Sequence, residues 1–276
     1  MAQTYRQLRL DLATALAAFL DHEEAHAESQ RWFEEGLGLS RSWLVTHGQE
    51  AVPAKVRRQV SAWVRRRRTG EPWAYILGWS LFRERRFKVS PDTLIPRPET
   101  ELLVEAALEV GQRLQVDRCV DVGTGSGIIA ISLALETHWP LSATDVSPGA
   151  LAMARANAEA LGAEVAFFEG SLLAAVPDPL GLVVANLPYV DPADQPGLQP
   201  ELAFEPASAL FAADRGLALS TELLSQARIR QAPACLLEIG AGQGGDLCRR
   251  ALGQGWHKAM VHQDFAGHDR LLVALA

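Results

Sequence analysis

Val120-Asp121-Val122-Gly123-Thr124-Gly125-Ser126-Gly127 carries an apolar, strand-like run into a helical one, Gly127–Leu135. Glycines two positions apart let a backbone turn tightly and approach a ligand that any Cβ would exclude. Outward from this loop the chain alternates between two patterns. Short apolar runs at Cys119–Val122, Leu141–Thr144, Val165–Phe168, Leu182–Ala185, Cys235–Ile239, Met260–His262 and Leu271–Leu275 predict strands. Between them, Pro148–Leu161, Gly216–Arg230 and Gly244–Leu252 predict helices. Such alternation builds a mostly parallel α/β sheet covered by helices on both faces. Ligands in these sheets bind beyond the carboxyl ends of the strands, where the strand order reverses.

The second strand ends at Asp145. A carboxylate there can accept hydrogen bonds from both hydroxyls of a ribose. Together with the loop it points to an adenosine-containing ligand. The loop reads GxGxG, unlike the dinucleotide fingerprint, and holds no basic residue to clamp phosphates. A ligand without a pyrophosphate, such as S-adenosylmethionine, fits that pattern.

The fourth strand runs into Asn186-Leu187-Pro188-Tyr189, at the mouth of the same crevice. Alone the tetrapeptide is a weak signal, since Asn and Pro are common in turns. Two strands beyond the glycine loop it is a strong one. Methylation of a planar nitrogen needs the acceptor held in line with the methyl group at about 3–3.5 Å. The Asn186 side-chain oxygen and the Leu187 carbonyl can accept one N–H each. These acceptors favour the increasingly positive nitrogen of the transition state. Tyr189 can cover the planar group, and Pro188 fixes the turn.

A near-copy of the loop follows at Leu237-Glu238-Ile239-Gly240-Ala241-Gly242-Gln243-Gly244. Too little chain lies beyond it for a second nucleotide-binding half. It reads as a tight strand-to-helix turn lining the pocket.

Residues 4 to 68 read as helices, with Leu8, Leu12, Leu16 and Leu20 at helical spacing. Gly70-Glu71-Pro72 ends that pattern. Tyr75–Trp79, Leu81-Phe82 and Phe87–Val89 then suit a short hairpin turning near Arg83–Arg86, before Pro91, Pro96 and Pro98 stiffen a connection. The expected organisation is a helical domain at 1–70, a hairpin linker at 71–98 and a catalytic domain at 99–276.

The 276 residues are 48% hydrophobic and 21% charged, an ordinary globular composition that excludes disorder and fibrous repeats. No apolar stretch is long enough to span a bilayer, and the start lacks a signal-peptide order. Cys119, Cys235 and Cys248 show no metal or disulfide spacing, so reduced thiols, no metal and a cytoplasmic setting are expected. The net charge of −7 is uneven: residues 1–100 hold 16 Lys+Arg against 12 Asp+Glu, the remainder 10 against 21. An acidic C-terminal portion argues against a broad nucleic-acid face there. Lys55-Val56-Arg57-Arg58 and Arg65-Arg66-Arg67-Arg68, placed on a helix, would form a cationic face open to RNA, an acidic partner or solvent.

With these motifs the chain resembles class I S-adenosylmethionine-dependent methyltransferases. More narrowly, it is similar to the release-factor glutamine N5-methyltransferases of the HemK/PrmC family. The most family-specific segment is Ile95-Pro96-Arg97-Pro98-Glu99-Thr100-Glu101. Tyr75–Gly78, Phe204-Glu205-Pro206 with Ala209-Leu210, and Leu237–Gly240 extend the match over nearly the whole chain. The resemblance implies a seven-stranded, mostly parallel Rossmann-like methyltransferase sheet with a small N-terminal helical bundle that recognises substrate. It implies that Gly123, Thr124, Gly125, Ser126, Gly127, Asp145, Ser171 and Asn186 hold S-adenosylmethionine. Asn186, Leu187, Pro188 and Tyr189 would form the catalytic pocket. The implied partner is a class 1 peptide-chain release factor, methylated on the glutamine of its Gly-Gly-Gln motif by a monomeric enzyme. Two departures are visible: Leu187 stands where the family usually carries proline, though the backbone carbonyl survives the change, and Glu169-Gly170-Ser171 stands where an acidic residue followed by an aromatic is common. The competing readings are an adenine N6-methyltransferase acting on RNA or DNA, which solves the same geometric problem, and an idle methyltransferase-like binding module.

Overall fold

The computed structural model describes residues 2–276 and divides into two compact units, residues 1–77 and 78–276. The N-terminal unit contains α1 (Tyr5–Leu16), α2 (His22–Arg31), α3 (Arg41–His47), α4 (Ala54–Arg67) and α5 (Trp73–Leu77). Caps set the starts of the first three. Thr4 and Gln7 form a reciprocal capping box on α1, while Asp21 and Ser40 accept from the third amides of α2 and α3. A π-helical turn, Trp32–Gly36, follows α2 and buries Trp32 and Phe33 completely. Trp32 stacks on Trp73 and meets Trp63 edge-on. Gly36 is required there, because a Cβ would sit 2.6 Å from the Trp63 ring.

Only part of the arginine run on α4 faces water. Arg67 is buried and grips Glu28 through Nε at 2.7 Å, and Trp32 also donates to that carboxylate. Arg66 is bound to Glu71 and to the carbonyls of Tyr75 and Ile76. The cationic face expected from sequence therefore loses Arg67 to the interior, while Arg65, Arg66 and Arg68 stay exposed and Arg66 is paired with Glu71. The Tyr75–Leu77 stretch is helical, so the hairpin begins only at Trp79.

The C-terminal unit opens with that hairpin, β1 (Trp79–Phe82) and β2 (Arg85–Lys88), turning at Arg83 and Glu84. Phe82 and Phe87 belong to the buried core beneath the large sheet rather than to a free connection. Next come α6 (Thr100–Leu114), β3 (Cys119–Val122), α7 (Ile128–Glu136), β4 (Leu141–Asp145), α8 (Pro148–Leu161), β5 (Val165–Glu169) and β6 (Leu182–Asn186). After β6 lie α9 (Ala207–Leu210), α10 (Ala218–Ile229), β7 (Ala234–Glu238), α11 (Gly244–Gly253), β8 (Lys258–Gln263) and β9 (Asp269–Leu275). The seven strands from β3 onward form one sheet in the order β5-β4-β3-β6-β7-β9-β8. All neighbours pair in parallel except β9, which is antiparallel to both β7 and β8. This is the mostly parallel, seven-stranded Rossmann-like sheet expected from sequence. The order reverses between β3 and β6, which fixes where a crevice opens.

Period-two alternation sorts the central strands. On β6, Leu182 and Val184 enter the core shared with α6 and α7, while Val183 and Ala185 enter the opposite core with α10. On β7, Ala234 and Leu236 go to the first side, Cys235 and Leu237 to the second. Continuing the count by one residue puts Asn186 and Glu238 on the side of α6. The two are cross-strand partners in the β6–β7 ladder.

Candidate active site

A cavity of about 170 Å³ lies beyond the carboxyl ends of β3, β4 and β6. Gly123, Thr124, Gly125, Ser126, Asp145, Ser171, Asn186, Leu187 and Pro188 all line it. Gly127 and Tyr189 do not.

The glycine loop adopts the conformation its composition permits. Gly123, Gly125 and Gly127 have φ of +74°, +55° and +87°, a region costly for residues with a Cβ. The reasons for glycine differ. A Cβ on Gly123 would stand 2.9 Å from Leu187 Cδ2, and one on Gly127 would stand 2.7 Å from Ile131 and 3.2 Å from Ala154. One on Gly125 would meet nothing. Gly127 therefore serves close packing of α7 against α8, while Gly125 leaves the cavity wall open.

Two carboxylates brace the loop. Asp121 is fully buried and accepts from Thr124 Oγ1 at 2.7 Å and from the Ala130 amide at 3.1 Å. Its other oxygen, Oδ1, has no partner. Burial pushes this carboxyl up to about 7. Asp145 accepts from the Gly125 amide through Oδ2 and from the Ser147 amide through Oδ1, each at 2.9 Å. Each oxygen keeps a free lone pair, as a ribose-binding carboxylate requires. Asn157 of α8 was not evident from sequence. Its Nδ2 donates to the Ser126 carbonyl at 2.8 Å, and it bonds both backbone groups of Lys88, tying the loop to the hairpin.

The opposite wall comes from the segment before α6. Leu94, Ile95, Pro96, Arg97 and Thr100 line the cavity. Glu205 holds this segment in place, taking the Arg97 guanidinium at 2.5 Å and the Ile95 amide at 3.1 Å. Arg97 is thereby engaged, and it is not left as a phosphate clamp.

Asn186 donates from Nδ2 to Thr100 Oγ1 at 3.1 Å, and Thr100 donates to Glu238 Oε2 at 2.7 Å. Thr100 and Glu238 are buried. Burial raises the Glu238 carboxyl, partly offset by the Thr100 hydrogen bond and the nearby Arg270. The Tyr189 hydroxyl points to the same carboxylate, with Oη 3.4 Å from Oε1. Burial, then the Glu238 charge, pushes its phenol up to about 12. As the structure stands, Tyr189 faces Glu238 and Gly240 rather than covering the cavity.

The second glycine loop also does not line the cavity, in contrast to expectation. Gln243 closes it on itself, bonding the Gly240 amide and the carbonyls of Tyr189 and Arg215. Its contribution to the site is Glu238, the residue in register with Asp121 of the first loop. The signal was present as a repeated acid-before-glycine pattern, but only the ladder register shows where that acid points.

A glycine loop without a cation for phosphate, an acid at the next strand end and an amide at the strand beyond define a class: the fold and site are those of an S-adenosylmethionine-dependent methyltransferase. The PrmC N-terminal domain model matches residues 12–78, and the methyltransferase small domain model matches residues 98–211. The chain belongs to the release factor glutamine methyltransferase family. The release factor glutamine methyltransferase of Bordetella pertussis is 40% identical over 253 residues, covering 88% of this chain and 92% of its own length. That of Deinococcus radiodurans is 35% identical over 276 residues, covering 97% and 98%. That of Neisseria gonorrhoeae is 39% identical over 265 residues, covering 87% and 96%. Among solved structures, the hMettl16 catalytic domain in complex with a MAT2A 3'UTR hairpin superposes with a TM-score of 0.60 at 15% identity, covering 79% of each chain, a likeness of fold.

Proposed function

We propose that this enzyme transfers the methyl group of S-adenosylmethionine to the side-chain N5 of the glutamine in the Gly-Gly-Gln motif of a class 1 peptide-chain release factor. The observation that carries this reading is the position of Asn186. Asn186 and Leu187 line the same cavity as the glycine loop and Asp145.

The bound cofactor supplies a methyl group made electrophilic by its sulfonium. The protein's residues do the rest. Asp145 and the loop from Gly123 to Ser126 bind the adenosine portion, and Ser171 borders the same space. Asn186 Oδ1 and the Leu187 carbonyl accept the two N–H bonds of the glutamine amide, turning its nitrogen toward the methyl group. Holding two reactants in line converts a bimolecular encounter into a near-unimolecular step. Both acceptors gain strength as the nitrogen becomes tetrahedral and positive, so they favour the transition state over the ground state. The nitrogen then loses a proton to water, and no side chain is needed as a general base.

Leu187 in the place of the usual proline leaves its carbonyl available. Its side chain is buried and packs on Gly123, joining the substrate wall to the cofactor loop. The N-terminal helical unit is assigned to substrate recognition, and a monomeric, cytoplasmic enzyme is the corresponding setting. Among the described residues no helix is long and apolar enough to cross a membrane. The test is incubation with labelled S-adenosylmethionine and a release factor carrying Gly-Gly-Gln or Gly-Gly-Ala. Label confined to the first supports the reading, and equal labelling of both contradicts it.

A further inference from the structure

We propose that Thr100 and Glu238 are positioning residues that fix which end of the Asn186 amide faces the substrate. The inference deepens the function proposed above and rests on it. A carboxamide has an accepting and a donating end of nearly equal size, so its orientation must be set by its neighbours. In this site only one orientation works: the oxygen must face a glutamine N–H, and a reversed amide would set its own NH2 donor against that N–H.

The hydrogen-bond chain supplies the missing direction. Glu238 meets a hydroxyl donor at each oxygen, Thr100 at Oε2 and Tyr189 at Oε1, so it serves as the acceptor of the chain. It takes the single proton of the Thr100 hydroxyl at 2.7 Å. Thr100 then has only lone pairs left, so it can only accept, and it accepts from Asn186 Nδ2 at 3.1 Å. The amide NH2 is held against α6, and Oδ1 is left for the cavity. The Tyr189 hydroxyl, near the other oxygen of Glu238, adds a donor that keeps the carboxylate in its accepting role. Thr100 and Glu238 are buried, where an unsatisfied partner is costly, so the direction of the chain is firmly set.

This arrangement also accounts for two sequence features that cofactor binding leaves unused. The Thr of Ile-Pro-Arg-Pro-Glu-Thr-Glu is the first residue of α6 and meets the end of β6. The acid of the second glycine loop is the cross-strand partner of Asn186.

The experiment compares Thr100→Val, Thr100→Ser and Glu238→Gln with wild type, using a full-length release factor as substrate. The readouts are kcat, KM, cofactor affinity by calorimetry and thermal melting. Thr100→Val keeps the shape but lets the amide turn, and kcat is expected to fall about tenfold to a hundredfold. KM and cofactor affinity stay within about threefold, since a tenfold change already needs ~1.4 kcal/mol. Thr100→Ser restores the hydroxyl and returns kcat to near wild type. Glu238→Gln can donate to Thr100 and reverse the chain, so kcat falls while the fold is kept. Wild-type kcat in folded Thr100→Val overturns the proposal, as does an equal loss in Thr100→Ser. Should Thr100→Val not fold, unchanged kcat in Glu238→Gln overturns it. A wild-type enzyme inactive on release factor would instead sink the functional reading itself.

Discussion

Glu205 and Arg97, 108 positions apart in sequence, form an ion pair at 2.5 Å that clamps the segment before α6 over the cavity. The carboxylate is almost wholly buried, with its side chain 2% exposed, whereas the guanidinium is 32% exposed. That asymmetry sets the order of the two deletions. Arg97→Ala leaves a buried carboxylate without its counter-charge and costs about 3–5 kcal/mol. Glu205→Ala leaves an arginine able to reach water and costs less, about 1.5–3 kcal/mol. Urea denaturation of the two variants checks the order; a larger loss in Glu205→Ala contradicts it.

In the N-terminal unit, the four consecutive arginines divide by environment. Arg67→Met strands Glu28 in the core and costs about 3–5 kcal/mol. Arg65→Gln and Arg68→Gln sit on the surface and change stability by no more than about 0.5 kcal/mol. Chemical denaturation of the three single variants distinguishes them, and equal behaviour would refute the burial of Arg67.

The glycine loop separates packing from binding. Gly127→Ala strikes Ile131 and Ala154 at a φ of +87°, so it destabilises the fold. Gly125→Ala meets no atom and pays only the cost of a left-handed conformation, about 1–2 kcal/mol. Its methyl group nevertheless borders the cavity, and cofactor affinity is expected to fall at least about tenfold, or ~1.4 kcal/mol. Melting and calorimetry on both variants test this; unchanged affinity in Gly125→Ala would remove the loop from the cofactor site.

Asp121 makes stability depend on pH in a specific direction. Its folded carboxyl titrates at about 7, against about 4 in an unfolded chain. Between those values the folded state binds the proton more tightly, so this group's contribution is complete below pH ~4 and is lost as pH rises through about 7. Asp121→Asn lacks that loss. The melting temperature of the variant relative to wild type should therefore rise between pH 4.5 and 7 and level off above, all pH values being approximate bounds of that window. A flat difference would contradict the raised titration.

The sheet was legible because parallel strands buried on both faces must be short, continuous apolar runs, as at Leu182–Asn186 and Ala234–Glu238. The first glycine loop and Asp145 stood out because glycines and an acid at strand ends mark a crevice, and the structure brings them to one cavity. What sequence did not show were relations across distance. Tyr75–Leu77 carries an apolar pattern too short to separate a helical turn from a strand. Arg67 reads as surface charge because nothing in the sequence marks Glu28, 39 positions away, as its buried partner. Tyr189 read as a lid, but its hydroxyl finds Glu238, which lies 49 positions away and one strand over. Thr100 and Glu238 stood inside recognised motifs, yet their shared target, Asn186, emerges only from the β6–β7 register.

Whether Asn186 presents a glutamine amide to the methyl donor is decided by mass mapping of a release factor after incubation with labelled S-adenosylmethionine. With the wild-type enzyme a single added methyl group is expected on the side-chain nitrogen of the Gly-Gly-Gln glutamine. Almost none is expected with Asn186→Ala, whose cofactor affinity is weakened far less. A methyl group on any other residue, or undiminished labelling by Asn186→Ala, would contradict that role of Asn186.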